Sequence, residues 1–94
     1  MGEVGTKLIF ENERVKVWEF TLAAGESIDT HTHEHEYLFY PIEGATLEVT
    51  RASGRVDLVT LDAGKVYYRT AGDTHSARNA SGTRYHEVLV ELKR

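Results

Sequence analysis

Two stretches decide the reading of this chain: GESIDTHTHEHEYLFYPIEG, residues 25–44, and GKVYYRTAGDTHSARN, residues 64–79. In the first, His31 and His33 stand two apart. Side chains alternate along a strand, so residues with that spacing share a face and can share a metal ion. A third imidazole must come from another part of the fold. His75 follows about forty residues later, just past the turn signalled by Gly72, where a strand folded back over the first pair would deliver it. The two stretches therefore read as one metal site divided between two hairpins.

The spacing resembles the two sequence motifs of the cupin superfamily. Gly25, His31, His33 and Gly44 fall in register with the first, and Gly64, Gly72, His75 and Asn79 with the second. Two positions depart: Tyr37 stands where the family usually has Glu or Gln, and Thr70 where it usually has Pro. The resemblance implies an all-β fold, the double-stranded β-helix (jelly-roll) barrel of a small single-domain cupin, spanning residues 1–94 as one domain. It also implies a divalent metal ion, Fe2+, Mn2+, Ni2+ or Zn2+, held by His31, His33 and His75 inside the barrel mouth.

Apolar spacing along the chain agrees with strands, and no window of helical length carries an i, i+3, i+4 pattern. Leu8 to Phe10 and Val15 to Leu22 open the chain. In the second of these Trp18, Phe20 and Leu22 share one face and Val15, Val17 and Thr21 the other, so neither face is simply solvated. Tyr37 to Ile42 reads as a strand covered on both sides, with Pro41 marking a bulge or a gap in the ladder. Strands over Thr46 to Thr50, Val56 to Leu61, Val66 to Arg69 and Tyr85 to Leu92 follow, separated by Gly-bearing turns. Short strands at this spacing argue for a sandwich or barrel.

Composition narrows the chemistry. Ninety-four residues without cysteine exclude a disulfide framework and a thiolate site, leaving His, carboxylate, phenolate or water as metal ligands. A chain this short hides only roughly 60 to 65% of its extended surface, so the core is small. The net charge of −4, with both signs interleaved, offers no basic stripe to a phosphate backbone, and nucleic-acid binding is not expected. The longest apolar run, around Leu38 to Ile42, is too short to span a bilayer, and no leader-like segment opens the chain. A cytoplasmic protein without membrane attachment is the expectation. Met1-Gly2 with Thr6 matches an acylation pattern that is common by chance, and Asn79-Ala80-Ser81 a glycosylation acceptor that is irrelevant to a protein that is never secreted.

With Tyr37 at the usual carboxylate position, three neutral imidazoles would leave the ion its full charge and favour an anionic ligand. Tyr37 is read as a hydrogen-bonding or proton-handling group, since ligation would require loss of a phenol proton with pKa near 10. A one-residue slip would instead turn Glu36 inward. His35 has the parity of His31 and His33, which makes it a fourth ligand, a pocket acid/base or a rim residue. Of Tyr68 and Arg69 one should face the pocket, and Arg69 would suit an anionic substrate. His86 groups by alternation with Val88, Val90 and Leu92 on the expected core side, as a core residue or a pocket group.

Two functions are open on these grounds. One is a metal-dependent enzyme, an oxygenase or an isomerase/lyase, acting on a small anionic metabolite with Tyr37 or His35 handling protons. Three-histidine sites of this sort resemble those of cupin thiol dioxygenases. The other is a non-catalytic barrel that binds a small molecule or holds a structural metal. Edge strands and apolar outer faces such as Val15 and Val17 lead to the expectation of a homodimer on either reading.

Overall fold

A computed structural model describes residues 4–93; Met1 and Gly2 of the acylation-like pattern lie outside the described residues. The chain forms nine strands: β1 (Lys7–Glu11), β2 (Val15–Leu22), β3 (Ser27–Thr32), β4 (Glu36–Glu43), β5 (Ala45–Arg51), β6 (Val56–Leu61), β7 (Tyr67–Arg69), β8 (Thr74–Asn79) and β9 (Tyr85–Leu92). They make two sheets of order β1-β2-β9-β4-β7 and β3-β8-β5-β6, with antiparallel pairing throughout. This is the double-sheet β barrel that the resemblance implies. No helix long and apolar enough to cross a membrane occurs among the described residues.

The core lies between the sheets. β2 contributes Trp18, Phe20 and Leu22, β4 Tyr37 and Phe39, β5 Leu47 and Val49, and Val4, Leu61, Ala77, Tyr85 and Leu89 complete it. Alternation along β2 is as the sequence predicts, since Val15, Val17 and Thr21 sit on the outer face, half-buried by their neighbours. On β9 it is reversed. Tyr85, Glu87, Leu89 and Glu91 are the buried set, and His86, Val88, Val90 and Leu92 face outward.

The reversal has a local cause. Trp18 carries an indole N–H into the core and Tyr85 a hydroxyl, and each needs an acceptor there. Glu91 accepts from the Trp18 Nε1–H and Glu87 from the Tyr85 hydroxyl. Aliphatic side chains at those two positions would leave both donors unpaired, whereas the outer face tolerates valines.

The end of β4 is irregular. β4 is bulged between Pro41 and Glu43 in its pairing with β9, where proline supplies no N–H to the ladder. Gly44, immediately after Glu43, turns the chain so closely against the β6–β7 connection that a Cβ there would stand 2.5 Å from the Leu61 carbonyl oxygen and 2.9 Å from the Ala63 nitrogen. Both neighbours are backbone and cannot swing away. Gly44→Ala should therefore cost about 1–3 kcal/mol of stability, read from the urea midpoint, with the unfolding slope unchanged.

Candidate metal centre

The site is built on the pairing of β3 with β8. Between Ile28 and His31 strand β3 advances three residues while β8 advances only two, from Ala77 to His75. This extra residue is a bulge, and it changes which residues face inward. Ile28 opposite Ala77 and His31 opposite His75 both turn toward the cavity. Strict alternation from Ile28 would have sent His31 to solvent. Arg51 of β5 is the other neighbour of His75, so one rung of the sheet carries His31, His75 and Arg51 side by side.

His33 follows the end of β3 but remains tied to the turn before β8. Its N–H donates to the Asp73 carbonyl at 2.9 Å, and its own carbonyl accepts from the Gly72 N–H at 2.8 Å. Gly72 holds φ at +96°, a conformation that an L side chain rarely adopts, so the glycine of the second motif sets the turn that clamps the first motif's histidine.

One nitrogen from each of His31, His33 and His75 lies within 4.8 Å of the others. His31 and His33 approach Nε2 to Nε2 at 3.1 Å. Two nitrogens each about 2.1 Å from one ion stand roughly 3.0–3.4 Å apart at octahedral or tetrahedral angles, so this pair is already spaced for ligation. His31 Nδ1–H donates to the Asp29 carbonyl at 2.9 Å, and His75 Nδ1–H donates to Asp73 Oδ2 at 2.9 Å. Each bond places the ring proton on Nδ1 and leaves Nε2 as a free lone pair.

His33 is held otherwise. Its ring stacks on Tyr37, with centroids 3.9 Å apart and planes 15° from parallel, and its Nδ1 is buried without a partner. Burial pushes the pKa of His33 down to about 3, helped by the neighbouring His31 and His75; burial also lowers that of His75, against the opposing pull of Asp73. Neutral imidazoles are the form that binds a metal. The donor set, its tautomers and its spacing thus fit a divalent ion.

Around this cluster lies a cavity of about 90 Å3. Asp73, Arg51, Arg69 and Tyr37 line it near the histidines, and Phe39, Leu47, Val49 and Leu61 form its apolar wall. Asp73 Oδ2 also accepts from Arg51 Nη1 at 3.5 Å, linking the His75 carboxylate to a fixed cation. Arg69 lies over the rings of Phe39 and Tyr67, 5.7 and 5.9 Å from their centroids. The Tyr37 side chain is 3% exposed, and burial, then Asp73, raises the pKa of its hydroxyl. It stays protonated and is a hydrogen-bond donor beside the ion site.

Tyr68 and His86 lie elsewhere. On β7 alternation turns Arg69 inward and Tyr68 outward, where its hydroxyl donates to Glu36 Oε2. Glu36 is thereby on the outer side and does not reach the histidines, so the slip that would restore a carboxylate ligand does not occur. His86 is on the outer face of β9, beside Glu19 at 3.1 Å and Glu43 at 3.9 Å, because the buried face of that strand is taken by Tyr85 and Glu87. His35 sits in a bend after β3 has ended, so parity no longer applies; it lines a shallow depression with Glu34, Glu36, Ala71 and Leu92, apart from the cavity. Asn79 is fully buried, its amide donating to the carbonyls of Leu22 and Thr83 at 3.0 and 2.7 Å, which ties the β8–β9 turn to the end of β2.

Glu87 is the cavity residue that sequence reasoning missed. The signal was present: Tyr85, Glu87, Leu89 and Glu91 alternate as regularly as the valines between them, and the two acids match the two buried donors of Trp18 and Tyr85.

Residues 18–90 match the family model for the cupin domain, Cupin_2. The chain is a cupin. Among solved structures this cupin is similar to a cupin domain from Bordetella pertussis Tohama I, with 29% identity over 99% of this chain and 100% of that one, at a TM-score of 0.85. A double-stranded β-helix protein of Klebsiella pneumoniae is 23% identical over 92% of this chain and 69% of its own, with a TM-score of 0.73. The polyketide cyclase RemF of Streptomyces resistomycificus is 23% identical over 88% of this chain and 57% of its own, with a TM-score of 0.64. The last two likenesses show the fold alone. No curated protein sequence matches the chain.

Burial of Glu87 raises its pKa from 4.5 to about 7. Between those values the unfolded chain has lost a proton that the folded protein keeps, so this group's contribution to stability is full below pH 4.5 and is lost as pH rises toward 7. Glu87→Gln should accordingly gain on the wild type by up to about 3 kcal/mol between pH 4.5 and 7 and then level off, as read from paired thermal melts of metal-stripped protein.

Proposed function

We propose that this cupin is a metal-dependent enzyme acting on a small anionic metabolite, with one divalent ion, Fe2+, Mn2+, Ni2+ or Zn2+, held by Nε2 of His31, His33 and His75. The observation that carries the reading is the preset tautomer of two rings, His31 by the Asp29 carbonyl and His75 by Asp73, with their free nitrogens turned to one point. A histidine tract that captured metal by accident would need neither hydrogen bond.

When bound, the ion supplies Lewis-acid polarisation of a ligand oxygen, or oxygen activation if it is iron. The remaining work falls to the chain. Three neutral imidazoles leave the site positive, and Arg51 and Arg69 in the cavity lining add to that, so a carboxylate or similar anion is the group that binds there. Tyr37, protonated and locked by its stack on His33, donates a hydrogen bond to the bound group and holds the proton that the reaction moves. The apolar wall of Phe39, Leu47, Val49 and Leu61 excludes water from the far side of the ligand.

Elemental analysis of untagged protein, purified without nickel resin, tests the centre. One ion per chain is expected in the wild type and none in His75→Ala. Asp73→Asn should keep the fold but weaken metal affinity about 10–100-fold, measured by competition with a chelator, because the carboxylate that fixes His75 is gone. Metal that survives His75→Ala would make the histidine tract incidental and leave a non-catalytic binding barrel.

We also infer that two copies pair through the outer face of the five-stranded sheet. Val17, Val88, Val90, Leu38, Tyr40 and Tyr68 lie on that face, and Tyr40 and Tyr68 are 45% and 47% exposed in the single chain. The five strands present about 500 Å2, which approaches the roughly 800 Å2 per partner of a stable interface. Sedimentation equilibrium should give twice the chain mass, and Val88→Glu should give the monomer.

A further inference from the structure

Glu87 stands apart from the metal centre and has no part in it. Along the β4–β9 pair, Tyr37 is opposite Glu91, Phe39 opposite Leu89 and Pro41 opposite Glu87, so Glu87 lies two inward rungs, about 13 Å of strand, from the rung of Tyr37. Its carboxyl nevertheless lines the same cavity as the three histidines. Phe20 is its direct neighbour on β2, Phe39 and Leu89 form the next inward rung, and the residue is 3% exposed. The guanidinium groups that line the cavity are those of Arg51 and Arg69; Arg69 belongs to the rung of Tyr37 and Arg51 to that of His75.

Among the described residues the Tyr85 hydroxyl is the one hydrogen-bond partner of Glu87, and it occupies Oε1. Oε2 makes no hydrogen bond among the described residues, and the residue lines the cavity. Glu91 makes a useful contrast: it is equally buried and bonded to one donor, Trp18, yet it does not line the cavity. A buried carboxyl without a cation is costly, and a neutral acceptor would satisfy Tyr85 as well. The open oxygen in an otherwise apolar floor calls for a partner that enters with the ligand. A hydroxyl suits it best, because a hydroxyl both donates and accepts and so matches the carboxyl whether or not it carries its proton.

We propose that Glu87 is the second pole of the ligand site, hydrogen-bonding the hydroxyl end of a short ω-hydroxy carboxylate whose carboxylate end lies at the three-histidine centre. The inference rests on the reading of that centre given above. A cavity of about 90 Å3 has room for about six to nine groups the size of water, which limits the spacer between the two ends to a few carbons.

The test compares 4-hydroxybutanoate with butanoate by calorimetry on metal-loaded wild type, Glu87→Leu and Tyr85→Phe. The wild type should prefer the hydroxy acid about tenfold, the worth of one good hydrogen bond. In Glu87→Leu that preference should vanish while butanoate affinity and metal content stay as they were, and in Tyr85→Phe it should remain. A measurement on the wild type alone covers a Glu87→Leu protein that fails to fold: the 13C resonance of the Glu87 carboxyl should shift with 4-hydroxybutanoate and not with butanoate. A wild type that binds both acids alike, or neither, overturns the proposal, as does a preference that survives in Glu87→Leu. Elemental analysis of the same samples separates the two failures. Metal-free wild type that still prefers the hydroxy acid would sink the metal reading and uphold Glu87, whereas metal-loaded wild type without the preference would sink Glu87 alone.

Discussion

The pairing of β3 with β8 is the constraint on which the rest depends. It joins segments more than forty residues apart, and its register places His31 opposite His75. One additional residue in β3 keeps both an aliphatic side chain and a histidine turned inward, so the same strand contributes to the apolar wall and to the nitrogen cluster. The β8 turn then holds His33 by two backbone hydrogen bonds. Without this ladder the three rings would have no common point, because each is oriented by atoms that the pairing brings alongside it.

Most of the fold was legible because glycines and apolar runs punctuate the chain at strand spacing, and the extent of β2, β6 and β9 follows from that directly. The histidine cluster was legible for a related reason: motif glycines fix turns, and turns fix which strands meet. Parity was the weak point wherever both faces of a strand are covered. Trp18, Phe20 and Leu22 could be assigned inward because their bulk has nowhere else to go. On β9 the aliphatic residues were the natural candidates for the core, yet the inner face belongs to Tyr85, Glu87, Leu89 and Glu91, whose acids satisfy buried donors on the neighbouring strand and on β9 itself. Hydrophobicity alone cannot see a hydrogen-bond requirement. His35 escaped for a simpler reason, since alternation holds only while the strand lasts, and β3 ends at Thr32.

The cavity is polarised along its length. One end gathers three imidazoles, two guanidinium groups and Asp73; the other is a carboxyl set among hydrocarbon side chains. Tyr37 stands at the first end with its proton retained. The side chain brings no negative charge to the nitrogen cluster and supplies an aromatic surface on which His33 stacks.

The short edge strand β7 gives the cavity an uneven wall. Three residues pair with β4, and among the described residues no strand lies beyond them. Arg69 of this strand faces the cavity and Tyr68 the outside, so the segment is both the thinnest part of the enclosure and one of its polar linings. Segments held by few ladder bonds open at lower free energy than the sheet interior, and they do so without disturbing its remaining strands. Amide hydrogens of Tyr67 to Arg69 would then exchange sooner than those of β9, and passage of a small molecule through this side would leave the register of β3 and β8 untouched. Access and ligation are thus carried by different sheets.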